Sequence, residues 1–94
     1  MTADAVNTEL LALRAQIDAL DQQFFSLLAE RFKVTAQVGA LKKREQLPAQ
    51  DVAREAAQLQ KTADFAVQTG LDEQFALRVQ RLILDEVVLQ HQQY

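Results

Sequence analysis

Residues 8–44 read TELLALRAQIDALDQQFFSLLAERFKVTAQVGALKKR, a stretch with no proline and with Gly39 as its single glycine. Large apolar side chains fall at Leu10, Leu13, Ile17, Leu20, Phe24, Leu27, Val34, Val38 and Leu41, spaced three and four residues in alternation. That is a heptad seam, an apolar stripe along one face of a helix, and it skips one expected position, where Arg31 stands. Thr8 or Asn7 is placed to cap the start, while Lys42, Lys43 and Arg44 suit the negative end of the helix dipole. At ~1.5 Å per residue the segment makes a helix about 50 Å long, against a radius of gyration of ~12 Å for a compact domain of this size. Such a helix overhangs its own fold. An apolar seam in the overhang needs a second chain to cover it, so the expected assembly is a homodimer.

Beyond this segment, residues 45–50 form a loop around Pro48, a residue suited to the mouth of the next helix. The second helix is expected over residues 49–68, with Gly70 ending it. Asp72 then caps a third helix over residues 73–91, with Phe75, Val79, Leu82, Ile83 and Val87 facing inward. Two glycines, one proline and abundant Ala, Leu, Gln and Glu agree with an all-α chain and disfavour strands. The expected architecture is a single domain over residues 1–94, all-α, with three helices per subunit and a very long first helix, in an intertwined homodimer.

Composition excludes several kinds of chemistry. With no cysteine there is no disulfide, thiolate metal site or cysteine nucleophile, which fits a reducing compartment. The amino terminus, MTADAVNTE, is acidic where a secretory signal needs positive charge and an apolar run, and no later stretch is apolar enough to span a bilayer. The expected location is the cytoplasm, with no membrane partner. A net charge of −3 argues against nucleic acid, whose phosphates need a clustered basic face.

Local cations are nevertheless placed where they can meet a small anion. Arg31 occupies a seam position meant for an apolar side chain, and an unpaired buried guanidinium costs several kcal/mol. It belongs either to a salt bridge or snorkelling contact at the seam, or to an anion-binding site. Lys42 lies eleven residues on, close to three turns and ~16 Å along the axis, so its side chain can converge with that of Arg31. The plainer reading of a lysine at a helix end is dipole compensation. Arg14 flanks the same seam seventeen residues before Arg31, about 25 Å along a rigid helix, too far to grip one small molecule within a chain. In an antiparallel dimer it could complete the partner's site; its plainer role is a solvated charge near Asp18 at i+4. Asp51, Arg54 and Glu55 share a face at i, i+3 and i+4, which reads either as a cap with a solvated charge cluster or as a further cation with acceptors beside it.

LLALRAQIDALD, LLAER, VGALK and the PxxDxxRE pattern of Pro48, Asp51, Arg54 and Glu55 together resemble the all-helical chorismate mutase family, without gaps over residues 10–92. The resemblance implies an intertwined dimer with two equivalent sites, each completed by one arginine from the other chain. Carried over by position, Arg14 is that trans arginine, while Arg31, Lys42, Asp51, Arg54 and Glu55 are supplied in cis. Arg14 and Arg31 would bind the carboxylates of a dicarboxylate substrate, and Arg54 with Asp51 would lie near its ring and hydroxyl. Lys42 would donate to the ether oxygen of the breaking bond, and Glu55 would accept from the ring hydroxyl. Conversion of chorismate to prephenate is a unimolecular [3,3] rearrangement, so positioning and charge suffice, and no metal or organic cofactor is implied. Donors at the ether oxygen favour the transition state, with ~3 to 4 kcal/mol as the scale for one such group.

Helix 3 departs from the family pattern. Val87 stands where better-known members have serine, removing a hydroxyl worth about 1 kcal/mol to a carboxylate. His91 stands where they have glutamine or glutamate, at the position that would share the ether oxygen with Lys42. As a donor it would give activity a pH dependence near neutrality; the plainer reading is an ordinary histidine in the last turn, and Gln90 or Gln92 could take the role if the helix end shifts register. The catalytic set expected from the resemblance is therefore Lys42, Arg31, His91 and Glu55, with Arg14, Asp51, Arg54 and Val87 completing the binding set. The same scaffold resembles isochorismate pyruvate lyase and the mutase acting on 4-amino-4-deoxychorismate. A non-catalytic helical dimerisation module would account for the seam alone, without Arg31, Lys42 and Arg54 in register.

Overall fold

The computed structural model describes residues 2–93, and the described residues form three helices and no strand. These are α1, Ala3–Arg44, α2, Val52–Thr69, and α3, Glu73–Gln92. The chain divides into two units, Met1–Lys33 and Val34–Tyr94, so that α1 runs through the first and ends in the second.

The start of α1 lies earlier than the Thr8 or Asn7 cap expected from sequence. Thr2 Oγ1 accepts the Ala5 N–H at 3.1 Å, whereas Thr8 Oγ1 donates back to the Asp4 carbonyl at 2.8 Å, the behaviour of a residue inside a helix. Ala3 and Ala5 are strong helix formers and Asp4 sits in the favourable first turn, so nothing stops the helix from extending to Thr2.

The carboxyl end of α1 closes on a Schellman motif. Leu47 N–H reaches the Lys42 carbonyl at 2.8 Å, Gln46 N–H reaches the Lys43 carbonyl at 3.2 Å, and Gln46 takes a φ of 56°. Helix α2 begins at Val52, later than residue 49, because Asp51 is its cap: Asp51 Oδ1 accepts the Arg54 N–H at 3.0 Å. Pro48 therefore belongs to the loop. Gly70, at φ 77°, ends α2 as expected, with Leu71 N–H closing onto the Ala66 carbonyl at 3.0 Å. Asp72 Oδ2 then accepts the Phe75 N–H at 2.8 Å and starts α3.

Within the second unit α2 packs on α3, burying Ala66 from one and Ala76 and Leu84 from the other, together with the polar Glu55 and His91. The inward face of α3 is rotated from the expected one. Val79, Ile83 and Val87 are half-buried, but Phe75 and Leu82 are exposed, Leu82 by 73%. At about 100° per residue, the stripe through Ala76, Gln80, Ile83, Val87 and His91 leaves Phe75 and Leu82 on the far side. Phe75 instead carries the Arg78 guanidinium 5.8 Å from its ring centre. Within the first unit, the seam residues Leu10, Leu13, Ile17, Leu20, Phe24 and Leu27 are all exposed in the single chain.

Candidate functional site

The second unit brings four of the expected side chains, Lys42, Asp51, Glu55 and His91, into defined polar contacts. Lys42, half-buried near the end of α1, donates from Nζ to the Ala49 carbonyl at 2.9 Å. Its own carbonyl accepts Leu47 N–H, so both ends of this residue hold the loop over residues 45–50. An ammonium has three N–H donors, and one of them is committed here.

Glu55 projects from the first turn of α2 and is 7% exposed. A buried carboxylate without a counter-charge costs several kcal/mol, and the counter-charge comes from α3: Arg81 Nη2 donates to Glu55 Oε1 at 2.5 Å. Asp85, one turn beyond Arg81, braces the same guanidinium, accepting at Oδ1 from Nε at 2.9 Å and lying 2.8 Å from Nη2. The hydrogen bonds to Glu55 and then to Asp85 raise the Arg81 pKa further above the ordinary arginine range. The second carboxylate oxygen, Glu55 Oε2, is buried and has no hydrogen-bond partner.

His91, in the last turn of α3, is 9% exposed, with Nε2 2.8 Å from the Thr35 carbonyl. A carbonyl can only accept, so Nε2 carries the proton and donates. Val87, one turn earlier, is half-buried.

Asp51 and Arg54 meet through the α2 cap, the Arg54 backbone N–H donating to the Asp51 carboxylate, and both residues are exposed. In the first unit, Arg14 is exposed and Arg31 half-buried.

Arg81, Asp85 and the Thr35 carbonyl were absent from the expected set. The i,i+4 spacing of Arg81 and Asp85 was visible in the sequence. That Arg81 also crosses to α2 depends on the packing of the two helices, and a backbone carbonyl carries no residue-type signal.

As chemistry, the second unit presents an ammonium anchored to a loop, a buried carboxylate with one oxygen committed and the other without a partner, and an oriented imidazole. Groups of these kinds can each bind a small polar molecule by charge and hydrogen bonds. Among the described residues no helix is long and apolar enough to cross a membrane.

Residues 13–92 match the family described as chorismate mutase type II. Over 83 residues the chain is 36% identical to the bifunctional chorismate mutase/prephenate dehydratase of Escherichia coli K12, a match covering 88% of this chain and 22% of that protein. It is 37% identical over 78 residues to the T-protein of Enterobacter agglomerans, covering 83% of this chain and 21% of that one. It is 29% identical over 79 residues to the 4-amino-4-deoxychorismate mutase of Streptomyces venezuelae, covering 84% of this chain and 77% of that protein. The chain thus spans about a fifth of the length of the bifunctional relatives it matches. With 80 of its 94 residues inside the match, the chain belongs to the chorismate mutase type II family.

Proposed function

We propose that the chain is a chorismate mutase, an isomerase converting chorismate to prephenate. The observation that carries the reading is Glu55: in a chain of this family, a buried carboxylate holds one oxygen on Arg81 and keeps the other without a protein partner, as an acceptor for a substrate hydroxyl requires. In the proposed reaction the ether carbon–oxygen bond of the enolpyruvyl group breaks while a carbon–carbon bond forms at the ring, with no proton or external electron exchanged. Arg14 and Arg31 hold the two carboxylates and Lys42 donates to the ether oxygen as it gains negative character. Arg54 and Asp51 flank the ring, Glu55 accepts from its hydroxyl, and Val87 and His91 close the binding set from α3.

The assembly we propose is an intertwined homodimer, in which the long first helix pairs along its heptad seam and Arg14 enters the partner's site. Exposure of that seam in the single chain supports it. The setting we assign is the cytoplasm, since a cysteine-free chain suits a reducing compartment. A second reading, turnover of 4-amino-4-deoxychorismate, is favoured by the similarity to the Streptomyces venezuelae enzyme of that name.

The test is incubation of the purified protein with chorismate, following its loss spectroscopically and the appearance of prephenate by chromatography. Arg14→Ala and Arg31→Ala should each lower kcat/KM by about 10²-fold or more. After subunit exchange, a one-to-one mixture should regain about a quarter of the wild-type rate, because half of the dimers are mixed and each recovers one of its two sites. No consumption by the wild-type chain would refute the activity; no recovery in the mixture would refute Arg14 in trans.

A further inference from the structure

Glu55, Arg81 and Asp85 form a chain of alternating charge that runs from solvent to a buried oxygen. The Asp85 side chain is 64% exposed, that of Arg81 40% and that of Glu55 10%. Asp85 fixes the guanidinium from its own helix, and the guanidinium fixes Glu55 Oε1 from across the α2–α3 packing, so the carboxylate orientation is set by groups on the opposite helix. We propose that Arg81 is a positioning residue that makes the Glu55 subsite select a ring hydroxyl over a ring ammonium; this rests on the reading above, in which Glu55 faces that ring substituent.

Two physical effects give the selection. Orientation comes first: with Oε1 held by Arg81, the buried Oε2 is the oxygen left with acceptor capacity, and a hydroxyl can donate to it without bringing charge. Charge is the second: the guanidinium beside Glu55 offsets part of its negative charge, although it is shared with Asp85. An ammonium entering there loses its hydration, meets a carboxylate already partly compensated and lies near a like charge on the guanidinium. A hydroxyl pays neither cost. The amino and hydroxyl forms of one substrate, 4-amino-4-deoxychorismate and chorismate, differ at this substituent, as the name of the first states.

Arg81→Gln keeps a side-chain N–H donor for Oε1 and removes the positive charge. The expected result is a shift of roughly tenfold in the ratio of kcat/KM values, chorismate over 4-amino-4-deoxychorismate, toward the amino substrate, mainly through KM. Arg81→Lys keeps the charge and should hold the ratio within about threefold of wild type. A ratio in Arg81→Gln within twofold of wild type, or an equal shift in Arg81→Lys, would overturn the proposal. Circular dichroism checks that each variant is helical. Should Arg81→Gln fail to fold, Asp85→Asn, which leaves the guanidinium charge to Glu55 alone, should move the ratio the other way, toward chorismate, by about threefold; an unmoved ratio there overturns the proposal equally. Wild-type protein inert toward both substrates would refute the functional reading itself, whereas active wild type with an Arg81-independent ratio refutes only the role of Arg81.

Discussion

His91 Nε2 donates to the Thr35 carbonyl, and this has a consequence for the other ring nitrogen. In the neutral imidazole Nδ1 can only accept, so His91 can donate from Nδ1 to an ether oxygen only as the imidazolium. If His91 serves the reaction, His91→Ala should lower kcat/KM with chorismate by about tenfold or more. His91→Gln, which supplies an amide donor, should restore part of that loss, and steady-state kinetics measure both. Unchanged turnover in His91→Ala would leave His91 with the structural task of tying the end of α3 to Thr35. Glu55 is the contrasting case at this scale. Its place on α2 beside Asp51 and Arg54 was readable from the i, i+3, i+4 spacing, but Asp51 became the cap and Arg54 stayed exposed while Glu55 alone was buried. Which of three residues on adjoining turns is buried depends on where α3 lies, and that information is not local.

Among the elements, the end of α1 stores the clearest strain. Gln46 adopts the left-handed conformation at the position of a Schellman motif where glycine is usual, at a cost of about 1 kcal/mol or more relative to an unstrained residue. Gly70 fills the equivalent position after α2 at φ 77° with no such cost. Gln46→Gly should therefore raise Tm by a few degrees, since relief of about 1 kcal/mol exceeds much of the added unfolded-state entropy of glycine. Thermal melting at fixed protein concentration measures it; a lower Tm would show that the Gln46 side chain contributes more than its backbone costs. The number of helices, the stop at Gly70 and the cap at Asp72 were all legible, because each depends on residues within one turn of itself. The starts of α1 and α2 differ from the expected ones because a capping side chain fixes each: Thr2 rather than Thr8 caps α1, and Asp51, two residues past the expected start at 49, caps α2, in each case bonded to the N–H three residues on. The face of α3 was misread for a different reason: Phe75 and Leu82 are apolar, and apolarity alone does not say whether a partner lies on that side.

For the molecule as a whole, the described residues bury only Ala66, Ala76 and Leu84 as a hydrophobic core, while the six seam residues of the first unit stay exposed, Leu20 at 62% and Leu27 at 65%. A helical chain with so little apolar surface removed from water gains little stability alone. The sequence made the seam visible because a heptad is a repeating signal. The cross-helix Glu55–Arg81 pair was invisible because it joins residues 26 apart with no repeat to announce it. If the seam is the stabilising interface, folding is coupled to association, and Tm rises with protein concentration. Sedimentation should then give twice the chain mass of 10.6 kDa. Leu20→Glu puts two like charges into the paired seam when the copies associate, and should abolish both the dimer and most of the helical signal at micromolar concentration. The same substitution would leave a chain that is stable by itself helical, because Leu20 is already open to water there. A concentration-independent Tm with the mass of one chain, unaltered by Leu20→Glu, would show that the seam is not an interface and that the cations on it do not work in pairs across two chains.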